Sequence, residues 1–238
     1  MSIRNFFTPI DDRTYLLNDP FLRALGITAG FAIENFNKKQ NSIHRILADQ
    51  FGKLVVLRQK HGSRVVIPAG KPAEPPIEYY AADASLYNLP GKMLTVHTAD
   101  CLPILVYSSN GVIGAIHAGW RSTLMGIAKS AVHTAGKMYG APPRDLKFVF
   151  MPGIGKCCME VGHDVAVLFK HRNLRDNGKP TINISGENKE QLMELGVPES
   201  NFIFHDYCTK CFPDFDFPSF RKDGKVKRLI VNFIFRKR

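Results

Sequence analysis

Three short apolar runs between residues 93 and 120 constrain the fold of this chain more than any other feature. The first run, MLTVHTADC, ends at Cys101, the second reads LPILVY, and the third, GVIGAIHAGW, carries His117 near its end. The turn-forming residues SSNG separate the second run from the third. Runs that are rich in strand-forming residues and bounded by turn residues predict β-strands. We therefore expect Cys101 and His117 to lie where rigid strands give way to loops.

A thiol and an imidazole at strand ends suit chemistry, because the strand positions the side chain and the loop leaves it accessible. Such a pair makes either a nucleophile with its base or part of a metal site, and Cys101 and His117 alone support both interpretations. Catalytic zinc usually takes three protein ligands and keeps a fourth position open. The best third candidate is His61, which follows an apolar strand and precedes a glycine.

The rest of the sequence mixes strand and helix patterns. Further strands are predicted at KLVVLRQ, RVVI, LKFVF, NFIFHDY and RLIVNFIF. The clearest helix is expected to start at a cap on Ser122 or Thr123, to continue to Met138 and to end at Gly140. The segments VGHDVAVLFKHR and KEQLMELGVP predict two more helices. These patterns predict an α/β (α+β) fold class, with a single layered domain over residues 1–238 and a mixed β-sheet flanked by helices.

The charge balance indicates which partners to expect. The chain of 238 residues has 32 basic and 21 acidic side chains, and its net charge of +11 favours anionic ligands. Basic residues gather near the C-terminus, where we expect a solvated tail rather than a nucleic-acid site, since no aromatic-interleaved basic motif accompanies them. The N-terminus lacks a signal-peptide pattern, and no apolar run approaches the roughly 18 residues of a spanning helix. We expect a cytoplasmic protein without a membrane segment, whose five cysteines are reduced.

A series of motifs is specific enough to indicate a family. In chain order they are QKHG at 59–62, ADA at 82–84, TADCLP at 98–103, HAGWR at 117–121, GIG at 153–155, EVG at 160–162, YCT at 207–209 and SFRKDG at 219–224. Over roughly residues 50 to 235 the chain resembles the YfiH family, also called the laccase-domain or polyphenol-oxidase family. TADC followed by HAGWR at this separation is the most specific part of the series.

The resemblance implies a zinc site made of His61, Cys101 and His117, with the cysteine bound as thiolate. It also implies phosphorolysis of purine nucleosides (adenosine, inosine, guanosine and methylthioadenosine) and deamination of adenosine, so the expected partners are purine nucleosides and phosphate. A metal-free Cys–His hydrolase and a copper-dependent polyphenol oxidase are the enzyme alternatives, and copper could replace zinc at such ligands. A basic nucleic-acid-binding module is the non-enzyme alternative. A multicopper oxidase is disfavoured, because it needs separate copper centres with many histidines.

Phosphate binding is expected to involve Arg121, Arg221 and Ser219. The two arginines are candidate clamps, because a guanidinium group matches phosphate bidentately. Arg121, which we also expect to act in catalysis, precedes the helix expected to begin near Ser122, and helix N-termini favour anions. A surface ion pair is the alternative for Arg121, and a turn cap is the alternative for Ser219.

Other residues near the motifs each have two interpretations. Asp100, beside Cys101, either orients a ligand histidine or caps a turn, and capping is favoured. The sequence assigns no specific role to Asp83. Trp120, the single tryptophan, lines the pocket or packs in the core. His97 alternates along its strand with Thr95 and is expected to be a packed residue.

Two pairs of cysteines suggest a competing metal site. Cys208 and Cys211 form a C-x-x-C pair, and Cys157 with Cys158 could complete a four-cysteine zinc site. Neighbouring side chains on a strand point in opposite directions, so adjacent cysteines are poor joint ligands. We therefore expect these thiols to be packing residues or to lie near the pocket.

The N-terminal part departs from the family pattern. Family members usually have a Thr-Arg-x-Gly-Gly segment and then Ser-Leu-Asn near residues 30 to 45, whereas this chain reads GFAIENFNKKQNSIHR there. The glycine pair and its arginine are missing. We expect the rim of the substrate pocket, and with it the preferred purine, to differ from the family pattern.

Overall fold

A computed structural model describes residues 3–35, 42–69, 76–174, 178–205 and 207–237. The described strands are β1 (Phe7–Pro9), β2 (Thr14–Leu17), β3 (Ile27–Asn35), β4 (Lys53–Leu57), β5 (Val65–Val66), β6 (Ile77–Tyr80), β7 (Ala84–Tyr87), β8 (Lys92–Thr98), β9 (Leu102–Ser108), β10 (Ile113–Ala118), β11 (Leu146–Phe150), β12 (Arg172–Leu174), β13 (Pro180–Ile182), β14 (Phe202–Phe204) and β15 (Arg228–Arg236). The described helices are α1 (Pro20–Ala24), α2 (Ile43–Phe51), α3 (Trp120–Leu124), α4 (Ile127–Tyr139), α5 (His163–Ala166), α6 (Ile184–Met193) and α7 (Phe220–Asp223).

The strands confirm the predicted mixed α/β fold and form two mixed sheets. Among the described residues, one sheet has seven strands in the order β1-β2-β3-β15-β8-β4-β6, and the other has six in the order β14-β11-β9-β10-β7-β5. Most pairs are antiparallel, while β4 runs parallel to β6 and β8, β5 to β7, and β11 to β14. The strands β12 and β13 form a separate antiparallel pair.

The two sheets pack face to face, and helices cover their outer faces. Along β8, Leu94 and Val96 belong to the core between the sheets, whereas Met93 belongs to the core beneath α2. Along β10, Ile113 belongs to the core between the sheets and Ile116 to the core beneath α4 and α6. This alternation follows from the two-residue period of a strand, and it produces four layers in the order helix, sheet, sheet, helix.

The chain crosses from one sheet to the other between β8 and β9. Although these strands are adjacent in sequence, β8 belongs to the seven-stranded sheet and β9 to the six-stranded sheet. Antiparallel pairing of β9 with β10 places His117 opposite Pro103 and Ala118 opposite Leu102. Cys101, which directly precedes β9, is therefore brought beside the end of β10, where His117 lies.

The helix after His117 differs from the prediction. Helix α3 starts at Trp120 after an N-cap at Gly119, so the expected cap at Ser122 or Thr123 is wrong, and both residues lie inside this short helix. A glycine with a left-handed backbone, Gly126 at φ 70°, separates α3 from α4. The left-handed conformation is incompatible with a continuous helix, which explains the interruption.

Two other expectations need correction or lie outside the described residues. The helix expected over VGHDVAVLFKHR is only the four residues of α5, because 172–174 pair with β13 instead. Residues 36–41 of the atypical N-terminal segment and residues 70–75 of the proline-rich loop lie outside the described part of the chain. In the part of the chain that the structure describes, none of the helices has the length and apolar character to span a membrane.

Two glycines in different surroundings, Gly114 in the closely packed β10 and Gly136 in α4, predict opposite effects of substitution by alanine. A Cβ atom on Gly114 would lie 2.5 Å from Val106 Cγ1 and closer still to Leu86. We expect Gly114→Ala to lower the free energy of unfolding by about 1–3 kcal/mol through overpacking. Gly136 in α4 meets only Ala141 O at 3.7 Å, so Gly136→Ala should raise stability by about 0.5–1 kcal/mol through helix propensity.

Urea unfolding of the two variants and the wild-type protein measures both changes. If Gly114→Ala were as stable as the wild type, the tight approach of β10 to its neighbours would be contradicted.

Candidate metal centre

The three predicted ligands come together at one end of the sheets. His61 follows β4 in a loop, Cys101 precedes β9, and His117 is the fifth residue of β10. The Nε2 atom of His61 lies 3.8 Å from Cys101 Sγ, and the ligand atoms of all three residues lie within 4.8 Å of one another. His117 is buried, Cys101 is half-buried and His61 is exposed. The cluster is therefore anchored in the core on one side and accessible on the other.

Gly119 permits the close approach of two ligands. A Cβ atom at this position would lie 2.9 Å from His61 Cδ2 and 3.1 Å from Cys101 Sγ. Real Cβ atoms essentially never come within 3.0 Å of a neighbour, so a larger residue would displace the histidine. The glycine of the HAGWR motif thus leaves the space that the candidate ligands His61 and Cys101 fill.

Asp83 positions both histidines. One carboxylate oxygen accepts a hydrogen bond from His117 Nδ1 at 2.9 Å and another from the backbone N–H of His61 at 2.8 Å. The other oxygen accepts from the N–H of Gly62 at 2.8 Å, and both are close to the N–H of Lys60. His61 itself has a left-handed backbone with φ 57°, a conformation that needs support from its surroundings. The aspartate therefore orients one ligand through its ring and the other through its loop.

The charges of the cluster favour a thiolate. Burial alone would raise the pKa of the Cys101 thiol, but hydrogen bonds and charge interactions with His117 and His61 lower it to about 6. Burial alone would lower the pKa of His117, but its hydrogen bonds with Asp83 and Cys101 raise it to about 9. Burial would raise the pKa of Asp83, yet its bonds to His117 and to backbone N–H groups lower it. Cys101 is thus stabilised in the form that binds metals.

Asp100 organises the loops around Cys101 and forms no described bond with a ligand histidine. Its carboxylate accepts from Thr209 Oγ1 and from the N–H of Arg221, each at 2.7 Å. Its carbonyl accepts from the N–H of Ile154, also at 2.7 Å. With φ 101°, Asp100 adopts a conformation that L-residues rarely take. This aspartate, which directly precedes Cys101, therefore connects three segments that are distant in sequence.

A cavity of about 410 Å³ opens beside the three ligands. Its lining includes Trp120, Arg121 and Arg221, and the Arg121 guanidinium lies 4.1 Å from the centre of the Trp120 ring. One donor of Arg221, Nη1, is bonded to the carbonyl of Glu160 at 2.8 Å. Both candidate clamps thus reach the cavity that contains the ligands.

Ser219 lies elsewhere. It is buried at the start of α7, where its hydroxyl accepts from the N–H of Lys222 at 3.1 Å, and it is not among the described residues that line the cavity. The helix-cap interpretation accounts for this position, and phosphate binding by Ser219 stays a prediction.

Gln59 and His97 are among the lining residues that were not singled out as site residues from the sequence. Gln59 and His97 both line the cavity, and the Gln59 amide accepts from the His97 N–H at 2.7 Å and donates to its carbonyl at 2.8 Å. Burial lowers the pKa of His97 to about 3, helped by the nearby charges of His44 and His117. The only sequence signal for Gln59 was its place at the start of the QKHG motif.

The structure also brings the other four cysteines together. The sulfur atoms of Cys157, Cys158, Cys208 and Cys211 lie within 4.8 Å of one another. The expectation from opposing strand side chains does not apply, because residues 156–158 form a turn and not a strand. Among the described residues, this group and the His61–Cys101–His117 group are the two sets of side chains that could hold a metal ion.

The donor set of His61, Cys101 and His117 fits a catalytic zinc ion. Catalytic zinc sites take three protein ligands drawn from groups such as imidazole and thiolate, and the three side chains here line a cavity. His117 Nδ1 is engaged by Asp83, which leaves Nε2 of this ring for a metal. Copper accepts the same kinds of donor, so the donor set alone does not identify the metal.

Comparison with known proteins gives the family. A family model described as multi-copper polyphenol oxidoreductase laccase matches residues 24–237. The chain belongs to this family. The resemblance indicated by the sequence motifs is thereby confirmed.

Individual relatives carry the names of enzymes. An adenosine deaminase, RL5, from an unknown prokaryotic organism is 35% identical over 173 residues, which are 66% of this chain and 66% of that protein. A purine nucleoside phosphorylase from Aquifex aeolicus is 33% identical over 183 residues, which are 76% of this chain and 82% of that protein. The crystal structure of the Bacillus licheniformis hypothetical protein YfiH matches this chain with a TM-score of 0.82 at 22% sequence identity. The match covers 98% of this chain and 100% of that chain, so the two proteins share a fold.

The position of Asp83 predicts its effect on metal binding. Asp83→Asn keeps the size of the side chain but places an amide group against N–H donors, so both histidines lose orientation. We expect zinc affinity to fall by about 10- to 100-fold, measured in competition with a chromophoric chelator. The exposed Asp145 provides the matched control, since Asp145→Asn should bind zinc like the wild type. An affinity unchanged in Asp83→Asn would contradict this role.

Proposed function

We propose that this protein is a zinc-dependent purine nucleoside phosphorylase that also deaminates adenosine. The observation that carries the proposal is the set of three ligands with an accessible side that faces a cavity of about 410 Å³. Cavities of roughly 300–1,000 Å³ suit small-molecule substrates. The names of the two relatives described above support the same two activities.

The cavity combines apolar walls with cationic side chains. Trp120, Met159 and Leu229 offer apolar surface for a purine and its ribose. Arg121 and Arg221 offer guanidinium groups to an anion at the same cavity. In phosphorolysis, a phosphate oxygen bonds to the anomeric carbon while the bond from that carbon to the purine nitrogen breaks. The two arginines would hold the phosphate for this attack.

In deamination, water adds to the purine carbon that bears the amine, and ammonia leaves. His61, Cys101 and His117 would hold the zinc ion, which would supply Lewis-acid activation of an oxygen atom when bound. The protein's own part is to keep the ligands in the correct protonation state. Asp83 holds a proton on Nδ1 of His117, and the two histidines stabilise the Cys101 thiolate.

One observation favours a second candidate, a metal-free hydrolase. Cys101, His117 and Asp83 form a series of hydrogen-bonded groups with the thiolate at one end, which is the arrangement of a cysteine nucleophile with its base and orienting carboxylate. His61 argues against this candidate, because a second imidazole 3.8 Å from the sulfur has no role in such a triad. Metal removal separates the two, since a chelator should inactivate only the zinc enzyme.

A copper polyphenol oxidase fits the described residues less well. Oxidases with several copper centres bind their metals through many histidines. The two described groups that could hold a metal contain two histidines and one cysteine, and four cysteines. The family description that mentions copper is therefore not matched by a histidine-rich centre in the described part of the chain.

The proposal is tested with purified protein and adenosine, with and without phosphate. We expect adenine to form only when phosphate is present and inosine to form in both cases. His61→Ala should lower both rates by about 100-fold or more, equivalent to about 3 kcal/mol, through loss of zinc. His133 lies exposed on α4, so His133→Ala is the matched control with wild-type rates. A zinc-free His61→Ala protein with full activity would contradict the proposal.

The role of Arg121 predicts a selective defect. Loss of a hydrogen-bonded cation should raise the KM for phosphate by about 10- to 100-fold in Arg121→Ala, corresponding to about 1.5–3 kcal/mol. Deamination consumes no phosphate and should change little. Arg45, exposed on α2, gives the control Arg45→Ala. Equal loss of both activities in Arg121→Ala would assign this arginine to nucleoside binding or to structure instead.

A further inference from the structure

The four cysteines outside the proposed active site join two loops that are distant in sequence. Cys157 and Cys158 lie in the turn after the GIG motif, and Cys208 and Cys211 lie in the segment that follows β14. Cys208 is buried, Cys158 is half-buried, and Cys157 and Cys211 are exposed. A thiol cluster reachable from solvent and anchored in the protein is a candidate for metal binding.

We propose that these four cysteines bind a second zinc ion as a structural tetrathiolate site. Their sulfur atoms lie within 4.8 Å of one another, and Cys157 Sγ is 3.5 Å from Cys211 Sγ. Zinc–sulfur bonds of about 2.3 Å in a tetrahedron place the sulfur atoms about 3.8 Å apart. The thiols are thus already near the separations that the ion requires.

The backbone of the turn is arranged around the sulfur atoms. The carbonyl of Gly155 accepts from the N–H groups of Cys158 and Met159 at 2.9 and 3.0 Å, which forms the turn that lets two adjacent cysteines reach one point. The N–H of Gly155 donates to Cys208 Sγ at 3.3 Å. Such a bond stabilises a thiolate, because a charged acceptor strengthens the interaction.

The limited space around the thiols also favours glycine at position 155. A Cβ atom on it would lie 3.2 Å from Cys157 Sγ and 3.3 Å from Cys208 Cβ. The glycine therefore permits the two loops to approach closely at the cluster. Its N–H bond and its lack of a side chain are two separate features that serve the same group of sulfur atoms.

Nearby charges suit the ion. Four thiolates around a divalent zinc carry a net charge of −2, and such a charge is more stable beside cations. Lys156 precedes Cys157 and Lys210 precedes Cys211, and both lysines are exposed. With four protein ligands, the site has no open position for a substrate, so its role is structural.

The ion would fasten a wall of the active-site cavity. Next to the cluster, the N–H of Thr209 donates to the carbonyl of Gly153 at 3.1 Å, and its hydroxyl donates to Asp100, the neighbour of Cys101. Ile154 lines the active-site cavity and also a second cavity of about 480 Å³ on the cysteine side. A zinc ion that joins the two loops would hold this partition in place.

Metal content and cobalt spectra test the proposal. Wild-type protein that is expressed with ample zinc and kept reduced should contain two zinc ions per chain, measured by inductively coupled plasma mass spectrometry. Cys157→Ser and Cys211→Ser should each contain one, and His61→Ala should also contain one. After cobalt substitution, His61→Ala should keep the intense thiolate-to-cobalt absorption of a tetrathiolate, whereas Cys211→Ser should keep only the weaker absorption of the single Cys101 thiolate.

Each alternative outcome has a distinct signature. One zinc per wild-type chain, unchanged in Cys157→Ser and Cys211→Ser, would overturn the second site and leave the proposed active site intact. Iron in place of zinc would overturn the choice of ion. A disulfide between Cys157 and Cys211, seen as an intact mass lower by two hydrogens that persists in reduced, zinc-supplied protein, would overturn metal binding at the cluster. Loss of zinc only in His61→Ala would support the active-site ligands alone.

Discussion

The candidate metal centre depends most on the hydrogen bonds made by the buried carboxylate of Asp83. Asp83 is only 1% exposed, and removing an unpaired charge from water costs several kcal/mol. Three consecutive backbone N–H groups and the ring of His117 offset that penalty, and in return they become fixed to one point. The left-handed backbone of His61 is held by the same contacts. Two candidate ligands, His117 on a strand and His61 in a loop, thereby share one orienting group.

Asp100 does for the surrounding loops what Asp83 does for the ligands. It lies where the chain crosses between the two sheets, and its bonds to Thr209, Arg221 and Ile154 connect three further segments to the residue before Cys101. Because Arg221 and Ile154 both line the cavity, the shape of the cavity and the position of the thiol are coupled. A shift of any of these segments would therefore change the position of the Cys101 sulfur atom.

The cysteines occupy two different environments. Cys101 is paired with imidazoles that lower its pKa, beside a cavity that can admit a substrate. The four other cysteines are surrounded mainly by one another, with a backbone N–H group directed at Cys208. An open set of mixed donors suits catalysis, and a closed set of thiols suits structure. Under the two proposals, zinc would serve catalysis on one side of the partition that contains Ile154 and structure on the other.

The sequence by itself determined the mixed α/β class, the strands that deliver Cys101 and His117, and the choice of His61 as third candidate, because strand patterns and motifs are local. It could not show that Asp83 orients the candidate ligands, that Ser219 caps α7 without lining the cavity, or that adjacent cysteines share a turn. Those features depend on contacts between distant residues, such as the 40 positions that separate His61 from Cys101 and the 54 that separate Cys157 from Cys211. Only the packing of two sheets, with the chain crossing between them, brings such residues within bonding distance.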